Sequence, residues 1–235
     1  MASREKVALV SGANKGIGFE IAKGLAAAGI HVYLGARNEE RGRAAERRLA
    51  DAGLKATWIG LDVTDRCSIE AARDAIARRW QRLDILVNNA GIATRSSEDP
   101  ATIYATNVFG VADMIRAWTP LLASARGRVI NVTSGLGSLT RLSDPSDPLH
   151  KTGPMVWQYA SSKAALNALT VLFATALAEQ GISVNAVCPG YCATDLNDHG
   201  GPRSAEQGAQ IALKLALTPE PGTGRYLDDA GVVPW

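Results

Sequence analysis

Residues 7–29 read VALVSGANKGIGFEIAKGLAAAG: four apolar residues, a serine, glycines at 12, 16 and 18, and then apolar positions recurring at a helical period. An uninterrupted apolar run bounded by a turn suits a strand buried on both faces, as in a parallel sheet. The glycines allow a tight turn and let the backbone approach an anion with no Cβ in the way. The helix that follows offers unpaired N–H groups and the positive end of its dipole to that anion. Gly-x-x-x-Gly-x-Gly also occurs in ordinary strand-to-helix turns, so the dinucleotide reading depends on its flanks.

Outward from this unit, short β-branched runs alternate with helical patterns. Strands are expected at 6–11, 31–35, 55–60, 84–89, 127–134, 182–188 and 224–229, and helices near 17–28, 39–52, 65–81, 100–123, 157–180 and 204–217. Strict alternation is the signature of βαβ units. The expected architecture is one doubly wound α/β domain over residues 1–235, a seven-stranded parallel sheet with helices on both faces. Two segments break the rhythm, 135–154 with three prolines and 191–204. Their composition reads as loops. Each follows the carboxyl end of a strand, where open parallel sheets bind ligands, so both are expected to shape a substrate site.

Composition narrows the function. With a formal net charge of +2 over 235 residues, nothing calls for nucleic acid or a membrane surface. The uncharged stretch 164–178 is too short and too rich in Thr and Asn to span a bilayer. The three cysteines, Cys67, Cys188 and Cys192, are an odd count without a companion ligand pair, which argues against a metal site. The start leads into an apolar strand rather than a secretion signal. A soluble, reduced, cytoplasmic protein is expected.

The second strand ends in Gly35-Ala36-Arg37, where an NAD-binding unit would place an acid for the ribose hydroxyl. A carboxylate repels a 2′-phosphate, whereas a guanidinium grips it through two charge-assisted hydrogen bonds. Lys15, just before the second glycine, adds a further positive charge. NADP(H) is therefore expected over NAD(H).

Tyr159 and Lys163 stand four apart and share one strip of the long helix. A free phenol titrates near 10. A neighbouring ammonium, with the positive ring of an oxidised nicotinamide, would favour phenolate and make an acid/base group usable in either direction. Ser134 ends the expected fifth strand, from which its hydroxyl could hold a carbonyl oxygen in line with the tyrosine proton.

These elements together resemble the short-chain dehydrogenase/reductase family, over essentially the whole chain. The likeness runs from SGANKGIG (11–18) through NNAG (88–91), Asn107, Ser134, YASSK (159–163) and PGYCAT (189–194). Within the family, GANKGIG with GAR and the closing VVPW are most similar to the NADPH-dependent carbonyl reductases. The resemblance implies a Rossmann fold and a catalytic set of Asn107, Ser134, Tyr159 and Lys163. Tyr159 would donate the proton, and Lys163 would lower its pKa and bind the nicotinamide ribose. Ser134 would polarise the carbonyl, and Asn107 would hold a water linking Lys163 to solvent. For the cofactor it implies Gly12, Asn14, Lys15, Gly16, Ile17 and Gly18 in the phosphate turn and Arg37 at the ribose. Asp62 and Val63 would lie at adenine, and Asn89, Ala90 and Gly91 along the cleft. Pro189, Gly190 and Thr194 would lie at the nicotinamide, with Tyr159 and Lys163. Two departures are Ser11 for the commoner Thr and Cys192 for an aliphatic residue. A third is a separation of Ser134 from Tyr159 longer than in compact members, which leaves the substrate open.

The substrate wall is expected from Thr94, Arg95, Gly135, Leu136, Met155, Val156, Trp157, Tyr191 and Leu196, with Ser134 and Tyr159 at its base. Mostly apolar or aromatic, it suits a ketone or aldehyde with a hydrophobic body. The uncharged 164–178 helix is expected to be covered on both sides, by its own sheet and by either a second subunit or the segment 139–153. A homodimer is the favoured form. Two rivals remain: a β-oxoacyl reductase or alcohol dehydrogenase of a biosynthetic pathway, and a non-catalytic NADP(H)-binding sensor.

Overall fold

In the computed structural model, which describes residues 5–93 and 99–235, the apolar run Val7–Ser11 forms β1, buried along its whole length. Alternate side chains serve opposite faces, as a pleated strand requires. Ala8 and Val10 join one core with Ile21, Leu25, Ile211 and Leu215, while Val7 and Leu9 join another with Ile69, Ile76, Trp118 and Leu166. The first core lies under α1 (Gly16–Ala27) and α9 (Ala205–Leu217). The second lies under α3 (Arg66–Trp80), α5 (Gly110–Ala125) and α8 (Trp157–Leu177).

The remaining strands are β2 (His31–Ala36), β3 (Ala56–Gly60), β4 (Ile85–Asn88), β5 (Arg128–Val132), β6 (Ser183–Val187), β7 (Tyr226–Asp228) and β8 (Gly231–Val232). The sheet order is β3-β2-β1-β4-β5-β6-β7-β8. Chain order reverses between β1 and β4, which opens a crevice at their carboxyl ends. Neighbours from β3 through β7 pair in parallel, but β8 runs antiparallel to β7, Leu227 opposite Val232. The seven expected parallel strands are all present, and β8 adds a short antiparallel strand at the edge. The cause is local: Asp228 Oδ1 accepts the N–H groups of Ala230 and Gly231, turning the chain back in a tight hairpin.

Segment 135–154, expected as loop, folds into α6 (Leu139–Ser143), α7 (Pro148–Thr152) and flanking 3₁₀ turns. Ser138 and Asp147 cap the two helices, and Pro148 occupies the first turn, where its missing N–H costs nothing. The segment docks on the 233–235 stretch: Ser138 Oγ donates to Pro234 O, and Thr140 donates through N–H and hydroxyl to Trp235 O. It leaves Val171 (40% exposed) and Leu172 (64%) on α8 open, so the described residues do not cover that helix on both sides. Pro148–Gln180 is long and apolar enough to cross a membrane by length and composition. Its α8 portion nevertheless packs on β6 and buries Lys163 and Asn167, as a core helix does.

The expected helix at 100–123 is interrupted. α4 (Pro100–Tyr104), begun by the cap Asp99, passes through a wider π-turn at Ala105–Phe109 before α5 continues. Such bulges cluster at functional sites.

Candidate active site

The crevice between β1 and β4 is floored by the glycine turn. Gly12 (φ +65°) and Gly16 (φ +57°) hold backbone conformations that other residues adopt only with strain. Gly18 answers to space instead: a Cβ there would lie 2.3 Å from Asn89 Nδ2 and 2.5 Å from Gly12 O. Asn89 braces the turn, its amide donating to Ser11 O (2.9 Å) and Gly12 O (3.2 Å). Ser11 Oγ in return accepts the N–H groups of Asn89 and Ala90, each at 3.0 Å. The hydroxyl kept at position 11 thus joins the ends of β1 and β4. α2 (Glu39–Asp51), α3 and α9 begin with side-chain caps from Asn38, Asp65 and Ser204. α1 has none and carries no acid in its first turn, which leaves its leading N–H groups and dipole for an anion. Asn14 and Ile17 are half-buried in this turn, Ile17 against the α9 core.

At the end of β2, Arg37 is well exposed, with Nη1 3.9 Å from Asp62 Oδ2. Asp62 is fixed by accepting the N–H (2.9 Å) and hydroxyl (2.7 Å) of Thr64, and Val63 beside it is buried. The carboxylate that faces Arg37 thus comes from beyond β3. Lys15 forms an ion pair with Asp195, and Thr194 lies against Gly16.

On the other side of the crevice, Ser134 stands two residues past β5, its Oγ accepting the N–H of Leu136 at 3.3 Å. Tyr159, in the first turn of α8, lies close enough for that hydroxyl to favour its ionised form. Lys163, one turn on, is 5% exposed; its Nζ donates to Val132 O at 3.0 Å and lies 5.6 Å from the Tyr159 ring centroid. Asn107 sits in the π-turn, fully buried. Its amide donates to Ile92 O (2.9 Å) and Ser162 Oγ (3.0 Å), and its Oδ1 accepts the Ile92 N–H (2.9 Å). A Cβ at Gly91 would lie 3.3 Å from Asn107 Oδ1 and 3.5 Å from Lys163 Nζ, so the NNAG turn brings these groups to one point. All four residues expected to act together converge.

In the free protein, burial is the largest influence on both ionisable groups of the set. Burial pushes the Tyr159 phenol up to about 12, against the lowering effect of the Ser134 hydroxyl. Burial also pushes Lys163 down to about 8. Lys163 Nζ donates to a backbone carbonyl, and burial disfavours the charged form of both groups.

The outer wall is exposed and apolar: Met155 (82%), Trp157 (55%), Tyr191 (59%) and Leu196 (43%), with Leu136 and Val156 half-buried. Thr94 and Arg95 lie outside the described residues. Pro189 and Gly190 follow β6, with Gly190 at φ +77°. Sequence reasoning missed three supports. Tyr226 Oη donates to Ser134 O at 2.7 Å, and its ring stacks on Trp235. Ser162 receives the Asn107 amide, and Asp195 pairs with Lys15. Ser162 lies inside YASSK and Asp195 next to PGYCAT, whereas Tyr226 lies in no recognised motif.

The family model for short chain dehydrogenases matches residues 6–204. Carbonyl reductase [NADPH] 1 of Bos taurus is 36% identical over 278 aligned positions, covering 100% of both chains. Short-chain dehydrogenase anuI of Penicillium roqueforti is 35% identical, covering 94% of this chain and 93% of its own. Among solved structures, the NADPH-bound carbonyl reductase from chicken fatty liver superposes with a TM-score of 0.84 at 28% identity, covering 99% of this chain and 100% of that one. A glycine turn braced by NNAG, a Ser-Tyr-Lys group beyond β5 and these matches agree, and the chain belongs to the short-chain dehydrogenase/reductase family, most like its carbonyl reductases.

Proposed function

We propose that this protein is an NADP(H)-dependent oxidoreductase that reduces a ketone or aldehyde to an alcohol, with Tyr159 as proton donor. The observation that carries this reading is the meeting of Ser134, Tyr159 and buried Lys163 at the carboxyl end of β5. It lies across the crevice from a glycine turn with no room for a Cβ at Gly18. Names among the relatives, including the NADPH carbonyl reductases, support the same cofactor and substrate class.

The residues present fit a dinucleotide with a 2′-phosphate. The uncapped start of α1, with Gly12, Gly16 and Gly18, would hold the pyrophosphate, and Arg37 and Lys15 the 2′-phosphate. Asp62 and Val63 would border the adenine, and Pro189, Gly190 and Thr194 the nicotinamide. When bound, NADPH supplies the hydride. Ser134 Oγ hydrogen-bonds the substrate oxygen and orients it, and Tyr159 Oη passes its proton to that oxygen as negative charge develops there. Lys163, held by Val132 O, places positive charge behind the phenol as it ionises. Asn107, held by three hydrogen bonds to Ile92 and Ser162, keeps the Gly91 turn and the Lys163 end of the site in register.

The exposed apolar rim supports a substrate with a hydrophobic body. The open face of α8 at Val171 and Leu172 supports pairing with a second copy, which sedimentation would detect. Three free cysteines, two of them buried, support a reduced, cytoplasmic setting. The test is NADPH oxidation with a panel of aryl and alkyl ketones, aldehydes and diketones, with NADH in parallel. Tyr159→Phe should lower turnover by about 10²–10⁴-fold with NADPH binding intact. Retained turnover in that variant overturns the assignment.

A further inference from the structure

The pairing of Lys15 with Asp195 joins residues 180 positions apart. Lys15 stands on the phosphate turn. Asp195 stands in the short 3₁₀ turn Asp195–Asn197 of the strap that follows Thr194. Both side chains are 53% exposed, so the contact is open to solvent and to ligand. The strap touches the turn a second time, since a Cβ on Gly16 would lie 3.6 Å from Thr194 Cγ2. Asp195 also takes His199 Nε2 at 3.1 Å, and the strap is tied to itself by Asn197, which donates to Cys192 O. At the ribose end of the same cleft, Arg37 faces Asp62. Two cations suited to a dianionic phosphate are thus each faced by a carboxylate, and the local charge sums to zero.

A carboxylate on Lys15 occupies the partner position that a phosphate oxygen would take. We propose that Asp195 is a cofactor-selectivity residue: it competes with the 2′-phosphate for Lys15, so that a 2′-phosphorylated dinucleotide, and not its unphosphorylated counterpart, releases the 191–204 strap from the phosphate turn. This rests on the NADP(H) reading and adds to it a link between the adenosine end and the substrate loop. By linkage, a ligand that must displace Asp195 binds more weakly than the cations alone would allow, and the strap loses a tether when it binds. An exposed ion pair is worth little, so the effect is small and specific.

The experiment uses the full chain and two fragments without a nicotinamide, 5′-AMP and 2′,5′-ADP, which differ only by the 2′-phosphate, and needs no turnover. Calorimetry should show Asp195→Asn binding 2′,5′-ADP about two- to five-fold more tightly than wild type, with 5′-AMP unchanged. The gain should vanish when Lys15→Ala is combined with it. Hydrogen exchange over 192–200 should rise with 2′,5′-ADP and not with 5′-AMP. A gain that persists without Lys15 marks general charge removal and overturns the proposal. So does an equal change for both ligands, no change for either, or exchange that ignores the 2′-phosphate. If wild type fails to prefer 2′,5′-ADP over 5′-AMP, the cofactor choice itself falls and this proposal with it.

Discussion

The two sides of the crevice are built on different terms. On the phosphate side, geometry is over-determined. Gly12 and Gly16 need positive φ, Gly18 has no space for a Cβ, and Ser11 and Asn89 lock β1 to β4 through four hydrogen bonds. On the substrate side, Met155, Trp157 and Tyr191 are each more than half exposed, and the described loops around them are short helical turns fixed by caps and by the 233–235 stretch. Recognition of a constant ligand is written into backbone, where change is costly. Recognition of a variable one is left to side chains, which can be exchanged without disturbing the sheet. Between the two lies the Ser134, Tyr159 and Lys163 group, bonded to both strand end and helix.

That contrast can be broken from either side. The largest expected effect is Gly18→Ala, which forces a methyl against Asn89 and Gly12 O; stability should fall by about 1–3 kcal/mol by urea melts, and dinucleotide affinity with it. Unchanged affinity would mean that the turn is looser than its packing implies. Arg37→Asp should move cofactor preference toward NADH by about 10–100-fold, because a charge-assisted contact is replaced by repulsion, with melting temperature held. If wild type already prefers NADH, the assignment of Arg37 is wrong.

The buried lysine gives a smaller, pH-dependent effect. Its folded value, about 8, is below its ordinary 10.5, so between those values the unfolded chain binds the extra proton. The stability of wild type relative to Lys163→Met should therefore rise with pH across roughly 8 to 10, by about 1 kcal/mol per unit. A flat difference across that window would place the ammonium in solvent. Smallest in stability is Trp157→Ala, expected to change it by less than about 0.5 kcal/mol while raising KM for bulky ketones several-fold and leaving NADPH affinity alone. A fall in NADPH affinity would erase the distinction between the two sides.

The same distinction governs what was legible in the sequence. The phosphate turn announced itself because glycine has few substitutes where φ is positive, and the central strands because a doubly buried strand admits little but Val, Ile, Leu and Ala. Segment 135–154 has the composition of a loop, and its three prolines suit breaks in regular structure. Pro148 instead follows the cap Asp147 and starts a helix, as Pro100 does after Asp99. β8 is too short to carry a periodic signal, and the π-turn around Asn107 leaves none, since it depends on what the helix packs against. The four central residues could be picked out, but their protonation could not. Spacing put an ammonium near a phenol, while the depth at which both are buried is a property of the whole fold. Tyr226, which fixes the Ser134 carbonyl from 92 residues away, follows the same rule.

On the proposed reading, a phenol held near 12 in the free protein becomes a proton donor and acceptor near neutrality once an oxidised nicotinamide lies beside it. The decisive experiment is ultraviolet difference titration of tyrosinate, wild type minus Tyr159→Phe, with and without saturating NADP⁺. A single phenol should ionise far above neutrality in the free protein and several pH units lower with NADP⁺ bound. A titration that the cofactor leaves in place would overturn this reading.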